Sequence, residues 1–205
     1  MWDLPNATDV SLAFGSILTG FAAMLGALAA WRGLSVWKAQ ELWRGNHDLA
    51  RSLAVGIKKR EDAIAHVRNP FSWAGEAQIA QDTPEYQRRQ RQAEAKYQAR
   101  WDKLVDARQS IYELEMEASV LWQGEFDASI NKLNRLENEL NIAISEYIED
   151  LSHEHSGEPS PDERERSREI RRTIFSSYEK DEFGEKYKSA VETALEFLRS
   201  KMERK

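Results

Sequence analysis

Residues whose types and spacing could support chemistry are few in this sequence, and the cluster His153, Glu154 and His155 comes first. Imidazole nitrogens and carboxylates are common zinc ligands. Two histidines at i and i+2 lie on opposite sides of a helix, so they could share one ion only in a strand or a loop, and no recognisable spacing supplies a third ligand. We therefore interpret the cluster as part of a solvated linker and predict no metal site.

Catalytic and cofactor-binding signatures are equally scarce. The chain has no cysteine, which removes disulfides and thiolate ligands. It has no glycine-rich phosphate loop, no Gly-x-Ser-x-Gly and no His-Glu-x-x-His. Carboxylates make up 35 of 205 residues, so no pair of them stands out as acid and base. We expect no catalysis and no cofactor.

A different kind of site is indicated by Asn69, Pro70, Phe71 and Trp73, in the stretch Asn-Pro-Phe-Ser-Trp. Proline disfavours helical geometry in the residue before it, so a helix pattern ends here. The two aromatic rings could pack into a groove and hold neighbouring helices together, which is the interpretation that we favour. The alternative is that they stay exposed and dock another protein.

The element that would position everything else is the uncharged run from Val10 to Trp31. Its 22 residues form the longest apolar stretch of the sequence. A helix of that length, rising about 1.5 Å per residue, crosses the ~30 Å hydrocarbon core of a bilayer. The leader, residues 1–9, has no Lys or Arg and so lacks the basic region of a cleaved signal peptide. We predict a retained transmembrane helix over residues 10–31.

Charge predicts the orientation of that helix. Residues 32–68 carry eight basic and four acidic side chains, whereas the leader has a net charge of −2. Lys and Arg stay on the cytoplasmic side, so we expect the N-terminus outside and the rest of the chain in the cytoplasm. The total charge of −6 leaves −8 for residues 69–205, which argues against nucleic acid as a partner.

Small residues on the predicted transmembrane helix indicate self-association. Ser16 and Gly20 are four residues apart, and Ala22, Gly26 and Ala30 repeat at the same spacing. Such spacing lets two helix backbones approach closely in lipid. Alanine and glycine are frequent in this helix, so the spacing also arises by chance.

The remaining segments predict an all-α fold, because strand patterns are absent and apolar residues recur at helical spacing. Residues at this spacing form apolar rows along each predicted helix, and the charged residues Arg60 and Glu137 each occupy a position in one of these rows. Whether the stalk is continuous through Gly33, Gly45 and Gly56 stays open. The predicted segments are a short external leader (1–9), the transmembrane helix (10–31), a basic juxtamembrane stalk helix (32–69), a connector (70–83), an antiparallel, coiled-coil-like helical hairpin (84–151), a polar linker (152–160) and C-terminal helices that complete a small bundle (161–205).

Two stretches, Leu49 to Phe71 and Asp181 to Glu192, resemble patterns in bacterial single-pass inner-membrane proteins that have a cytosolic helical domain. The resemblance covers a small part of the chain. It implies a bacterial inner-membrane location and carries no activity.

Together these features predict a membrane-anchored cytosolic helical scaffold that recruits a protein partner. The alternative is a self-associating membrane effector or signal transmitter, of a stress or phage-defence type, whose transmembrane helix oligomerises under control of the cytosolic bundle. The expected partners are the lipid bilayer, a cytosolic protein and a second copy of the chain.

Overall fold

α-Helices form nearly all of the computed structural model. It describes the backbone of residues 7–73, 75–76, 78–153, 160–176 and 180–203, and the side chains of these residues except 7–19, 35, 39 and 153. No strand occurs in these ranges, so the predicted all-α class is confirmed. The described helices are α1 (Ala7–Val67), α2 (Glu85–Gln109), α3 (Tyr112–Trp122), α4 (Glu125–His153), α5 (Pro161–Ile174) and α6 (Glu182–Met202).

The helix α1 runs from Ala7 to Val67 without a break at Gly33, Gly45 or Gly56. Among the residues with described side chains, we find no helix whose length and apolar character suffice to cross a membrane. The predicted transmembrane helix over residues 10–31 is therefore not supported by the structure, and the side chains of residues 10–19 lie outside the described part of the chain.

The chain divides into two compact units, Met1–Asn46 and His47–Lys205. In the first unit, nine large apolar side chains in the described part of α1 are exposed, each by 49% or more. These exposed side chains are Phe21, Met24, Leu25, Leu28, Trp31, Leu34, Val36, Trp37 and Leu42.

The second unit is a helical bundle in which α4 packs against α2, α3, α5 and α6. Its core follows the apolar rows of the sequence, because residues spaced three and four apart share one face of a helix. Fully or nearly fully buried members of the core are Leu53, Ile57, Ile64 and Val67 of α1, Leu104 of α2, Phe126, Leu133 and Leu140 of α4, Ile174 of α5, and Tyr187, Val191 and Leu198 of α6.

The first arm of the predicted hairpin is two helices instead of one, which corrects the prediction for residues 84–151. α2 ends at Gln109, where the Ser110 hydroxyl donates to the carbonyl of Ala107 at 2.7 Å and so competes with the helical hydrogen bonds. Ile111 then turns into the core against Gly56. A continuous coiled-coil arm is therefore wrong. Leu121 lies one heptad after Leu114, and a continuous arm would bury both, but Leu121 is 56% exposed.

A buried polar network joins four helices of the second unit. Arg60 of α1 donates from Nη1 to Glu115 Oε1 of α3 at 2.8 Å and from Nη2 to Asn134 Oδ1 of α4 at 2.7 Å. It also donates to Glu137 Oε1, which accepts the hydroxyl of Tyr187 at 2.9 Å as well. The two residues that interrupt the apolar rows are thus partners in the folded chain.

In this network, burial and the neighbouring charges act in opposite directions on the pKa values of Arg60 and Glu115. Burial alone would lower the pKa of Arg60, but the charges of Glu137 and Glu115 raise it. Burial raises the pKa of Glu115, against the influence of Arg60 and Arg108, and it also raises the pKa of Tyr187 beside Glu137. Hydrogen bonds between ionised or phenolic side chains thus link α1, α3, α4 and α6.

A second buried arginine, Arg68, binds the end of α5 and the residue that precedes α6. Its Nη1 and Nη2 donate to the two oxygens of Asp181 at 2.9 and 2.6 Å, and its Nε donates to the carbonyl of Thr173 at 2.9 Å. Asp181 also caps α6 by accepting the N–H of Gly184 at 2.9 Å. Hydrogen bonds from Arg68 lower the pKa of Asp181.

Candidate partner-binding site

The predicted docking residues form a short arch immediately after α1. We call residues 69–73 the connector arch. The side chain of Asn69 accepts the N–H of Phe71 at 2.9 Å, a local turn that asparagine favours, and Pro70 prevents the helix from continuing. The arch is therefore specified locally by the Asn-Pro-Phe order.

Arg100 of α2 holds the arch from beneath and is itself fully buried. Its Nη1 donates to the carbonyl of Asn69 at 2.6 Å, and its Nη2 donates to the carbonyl of Phe71 and to Glu76 Oε2, the latter at 2.7 Å. A guanidinium presents its five N–H donors as a rigid planar fork, so one side chain can satisfy several backbone oxygens at once. The backbone of the connector arch is thereby fixed.

The aromatic side chains of the arch point away from this fixed backbone. Phe71 is 76% exposed and Trp73 is 63% exposed. The favoured interpretation that they pack into a groove and hold neighbouring helices together is therefore wrong, because Arg100 and Glu76 make the attachment instead. Docking of another protein stays a prediction.

Glu76 completes the attachment as the carboxylate partner of Arg100. It accepts the N–H of Trp73 at 3.1 Å through Oε2. The hydrogen bonds from Arg100 hold the pKa of Glu76 at about 2, although burial opposes the shift. Glu76 is consequently ionised throughout the physiological pH range, and it accepts hydrogen bonds from both Arg100 and the N–H of Trp73.

Two lysines and a histidine surround the base of the arch. Lys96 Nζ lies 3.5 Å from the carbonyl of Pro70, and Lys103 Nζ lies 3.0 Å from His66 Nε2. His66 Nε2 also lies 3.3 Å from Glu76 Oε1. Burial, with the charges of Lys103 and Arg100, lowers the pKa of His66, against the influence of Glu76. Burial and the charge of Arg100 also lower the pKa of Lys96. The surface beside the aromatic pair is therefore rich in cations.

The predicted self-association residues belong to the first unit. Gly20, Ala22, Gly26 and Ala30 are exposed on α1, whereas the side chain of Ser16 lies outside the described residues. An added Cβ at Gly20 or Gly26 would meet no atom within 4 Å. Self-association of this helix stays a prediction.

The histidine cluster falls at the end of α4. His153 is the last helical residue, but its side chain and the residues Glu154 and His155 lie outside the described part of the chain. Where side chains are described, no group of three or more His, Asp or Glu residues could hold a metal ion.

Sequence reasoning missed Arg100 and Glu76, although a signal for Arg100 exists. Arg100 lies three residues after Tyr97 and four before Leu104, and both of these are buried in the core. A charged residue inside an apolar row is the same signal that marks Arg60. For Glu76 no local pattern indicates a partner 24 residues further along the chain.

The chain matches no protein-family model, no curated protein and no solved structure.

Proposed function

We propose that this protein is a membrane-anchored helical scaffold that recruits a protein partner through the connector arch. The observation that carries the proposal is the exposure of Phe71 and Trp73 on a backbone held by the fully buried Arg100. Aromatic residues are common among the side chains that dominate binding energy at protein interfaces. Ordering the backbone before binding reduces the entropy that association must overcome.

The membrane part of the proposal is supported by the uncharged run from Val10 to Trp31 and by the exposed apolar side chains that follow Phe21 on α1. Exposed apolar surface of this extent is typical of a membrane or protein contact. The basic residues between 32 and 68 favour a cytoplasmic second unit. In bacterial cells we expect the chain in the membrane fraction after carbonate washing, with a C-terminal alkaline phosphatase fusion inactive.

Recruitment is tested by site-specific photo-crosslinking in the same cells. Ser72 lies between the two aromatic residues and is exposed, so a photoreactive amino acid there would report what contacts the arch. The matched control is Gln92, which is also exposed but lies on α2. We expect a discrete protein adduct from position 72 and none of the same mass from position 92. The same adducts from both positions would contradict the proposal.

A second candidate function is a self-associating membrane effector or signal transmitter. The observation in its favour is that Gly20, Ala22, Gly26 and Ala30 are all exposed, with open space at both glycines. Close helix packing in lipid uses such small residues. Gly26→Ile should then weaken self-association of the isolated segment in a two-hybrid reporter without impairing insertion, and an unchanged signal would count against this candidate.

A further inference from the structure

Nearly all backbone N–H and C=O groups of the connector arch are already hydrogen-bonded within the chain. The carbonyls of Asn69 and Phe71 accept from Arg100, and the carbonyl of Pro70 accepts from Lys96. The N–H of Phe71 donates to the side chain of Asn69, and the N–H of Trp73 donates to Glu76. A partner cannot add to this segment as a β-strand would, since that mode needs free main-chain groups. Recognition must therefore use side chains.

The side chains that surround the arch carry an excess of positive charge. Arg100 and Glu76 neutralise each other as a close ion pair. Lys96 and Lys103 remain, and within the described part of the chain neither has a carboxylate oxygen within 4 Å. A ligand that brings carboxylates would complement this surface.

We propose that the partner segment recognised by the connector arch is an acidic peptide with an apolar anchor residue. The anchor packs on the exposed rings of Phe71 and Trp73, while its carboxylates contact Lys96 and Lys103. This inference rests on the proposed recruitment function and adds the chemistry of the ligand. A long polyanion such as nucleic acid fits less well, because residues 69–205 carry a net charge of −8.

The ligand chemistry is tested with a phage-displayed library of random dodecapeptides, selected on the full chain in detergent micelles. We expect the enriched peptides to combine several Asp or Glu residues with an aromatic or aliphatic residue. The affinity of a synthetic copy of the most enriched peptide is then measured by fluorescence anisotropy. Two double variants should each weaken binding about tenfold or more. The first is Phe71→Ala with Trp73→Ala, and the second is Lys96→Gln with Lys103→Gln.

Matched controls separate these effects from general damage to the fold. Tyr86→Ala removes an aromatic ring that is 63% exposed at the start of α2, and Lys132→Gln with Lys188→Gln removes two exposed lysines of α4 and α6. Both controls should leave the affinity unchanged. Each variant is first checked for an unchanged thermal midpoint by circular dichroism. Rising salt should weaken binding of the peptide to the unmodified chain.

Three outcomes would overturn the inference. Enriched peptides that are neutral or basic, yet depend on Phe71 and Trp73, would reject the acidic ligand and leave recruitment through the arch intact. Acidic peptides that bind the Phe71→Ala, Trp73→Ala variant as well as the unmodified chain would reject the arch as their site and count against recruitment too. Failure to enrich any peptide would reject a linear peptide ligand.

Discussion

Arg60 and Glu137 form a buried ion pair in which Nε and Nη2 of the arginine donate to the same carboxylate oxygen, at 3.0 and 2.9 Å. The Arg60 side chain is fully buried and that of Glu137 is 1% exposed. The pair connects α1 to α4 through the centre of the core, where either charge alone would be strongly unfavourable.

Removing one member of this pair should therefore be severe. Arg60→Met removes the closest cation from the buried Glu137, and we expect a loss of about 3–5 kcal/mol in the free energy of unfolding. The carboxylate keeps only the Tyr187 hydroxyl at 2.9 Å and the more distant Arg108 Nη1 at 3.7 Å. The double variant Arg60→Met, Glu137→Leu should recover part of that loss, because the charge of Glu137 is removed together with that of Arg60, whereas Glu115 still lacks its partner. Urea denaturation measures both. A double variant as unstable as Arg60→Met would show that the pair is not the origin of the effect.

The sequence indicates that Arg60 and Glu137 lie on buried rows, but it cannot indicate that they meet. Helical spacing defines which face of a helix is buried and carries no information about the facing residue, which here is 77 positions away. Ser129 illustrates the same limit of helical spacing. It is not part of an apolar row of α4, yet it is 8% exposed and its hydroxyl donates to the carbonyl of Glu125.

In the candidate site, too, some features follow from local sequence and others depend on tertiary contacts. The Asn-Pro-Phe order predicts an interruption after α1, because its causes are local to those residues. The direction of Phe71 and Trp73 depends on Arg100, which arrives from another helix and fixes the backbone beneath them. A local pattern therefore predicts where the arch is, and only tertiary contacts determine what it exposes.

Two glycines of α1 should respond oppositely to alanine. At Gly56 an added Cβ would lie 2.1 Å from Cγ2 of the buried Ile111, so Gly56→Ala should destabilise the fold by about 1–3 kcal/mol. At Gly45 a Cβ meets nothing within 4 Å, so Gly45→Ala should stabilise the helix by up to about 1 kcal/mol. Thermal denaturation of the two variants gives the comparison. A neutral Gly56→Ala would mean that Ile111 does not pack against α1.

Acid should weaken the fold through Glu76. Its pKa is about 2 in the folded chain against 4.5 as the ordinary value, so the unfolded chain binds a proton first as the pH falls. The stability contributed by Glu76 is therefore complete above pH 4.5 and is lost progressively towards pH 2. Glu76→Gln removes this contribution at every pH. Urea midpoints measured from pH 6 to 3 should fall less steeply for Glu76→Gln, and parallel profiles would contradict the Arg100–Glu76 contact.

Loss of Arg100 should loosen the connector arch. Arg100→Lys keeps the charge but cannot reach several carbonyls at once, so the amides of Phe71 and Trp73 should exchange with solvent at least about tenfold faster. Hydrogen exchange followed by mass spectrometry measures this rate. Arg88→Lys, a change to an exposed arginine of the same helix, is the control and should have no effect. Unchanged exchange in Arg100→Lys would show that the arch is ordered by other contacts.

Recruitment of a protein partner by Phe71 and Trp73 should be visible in the crosslink formed from position 72. The photoreactive residue is placed there in three full-length chains: the otherwise unmodified one, Phe71→Ala with Trp73→Ala, and Tyr86→Ala. We expect a partner adduct of equal yield in the first and third chains and a yield at least about tenfold lower in the second. An adduct of equal yield in all three chains would contradict this expectation.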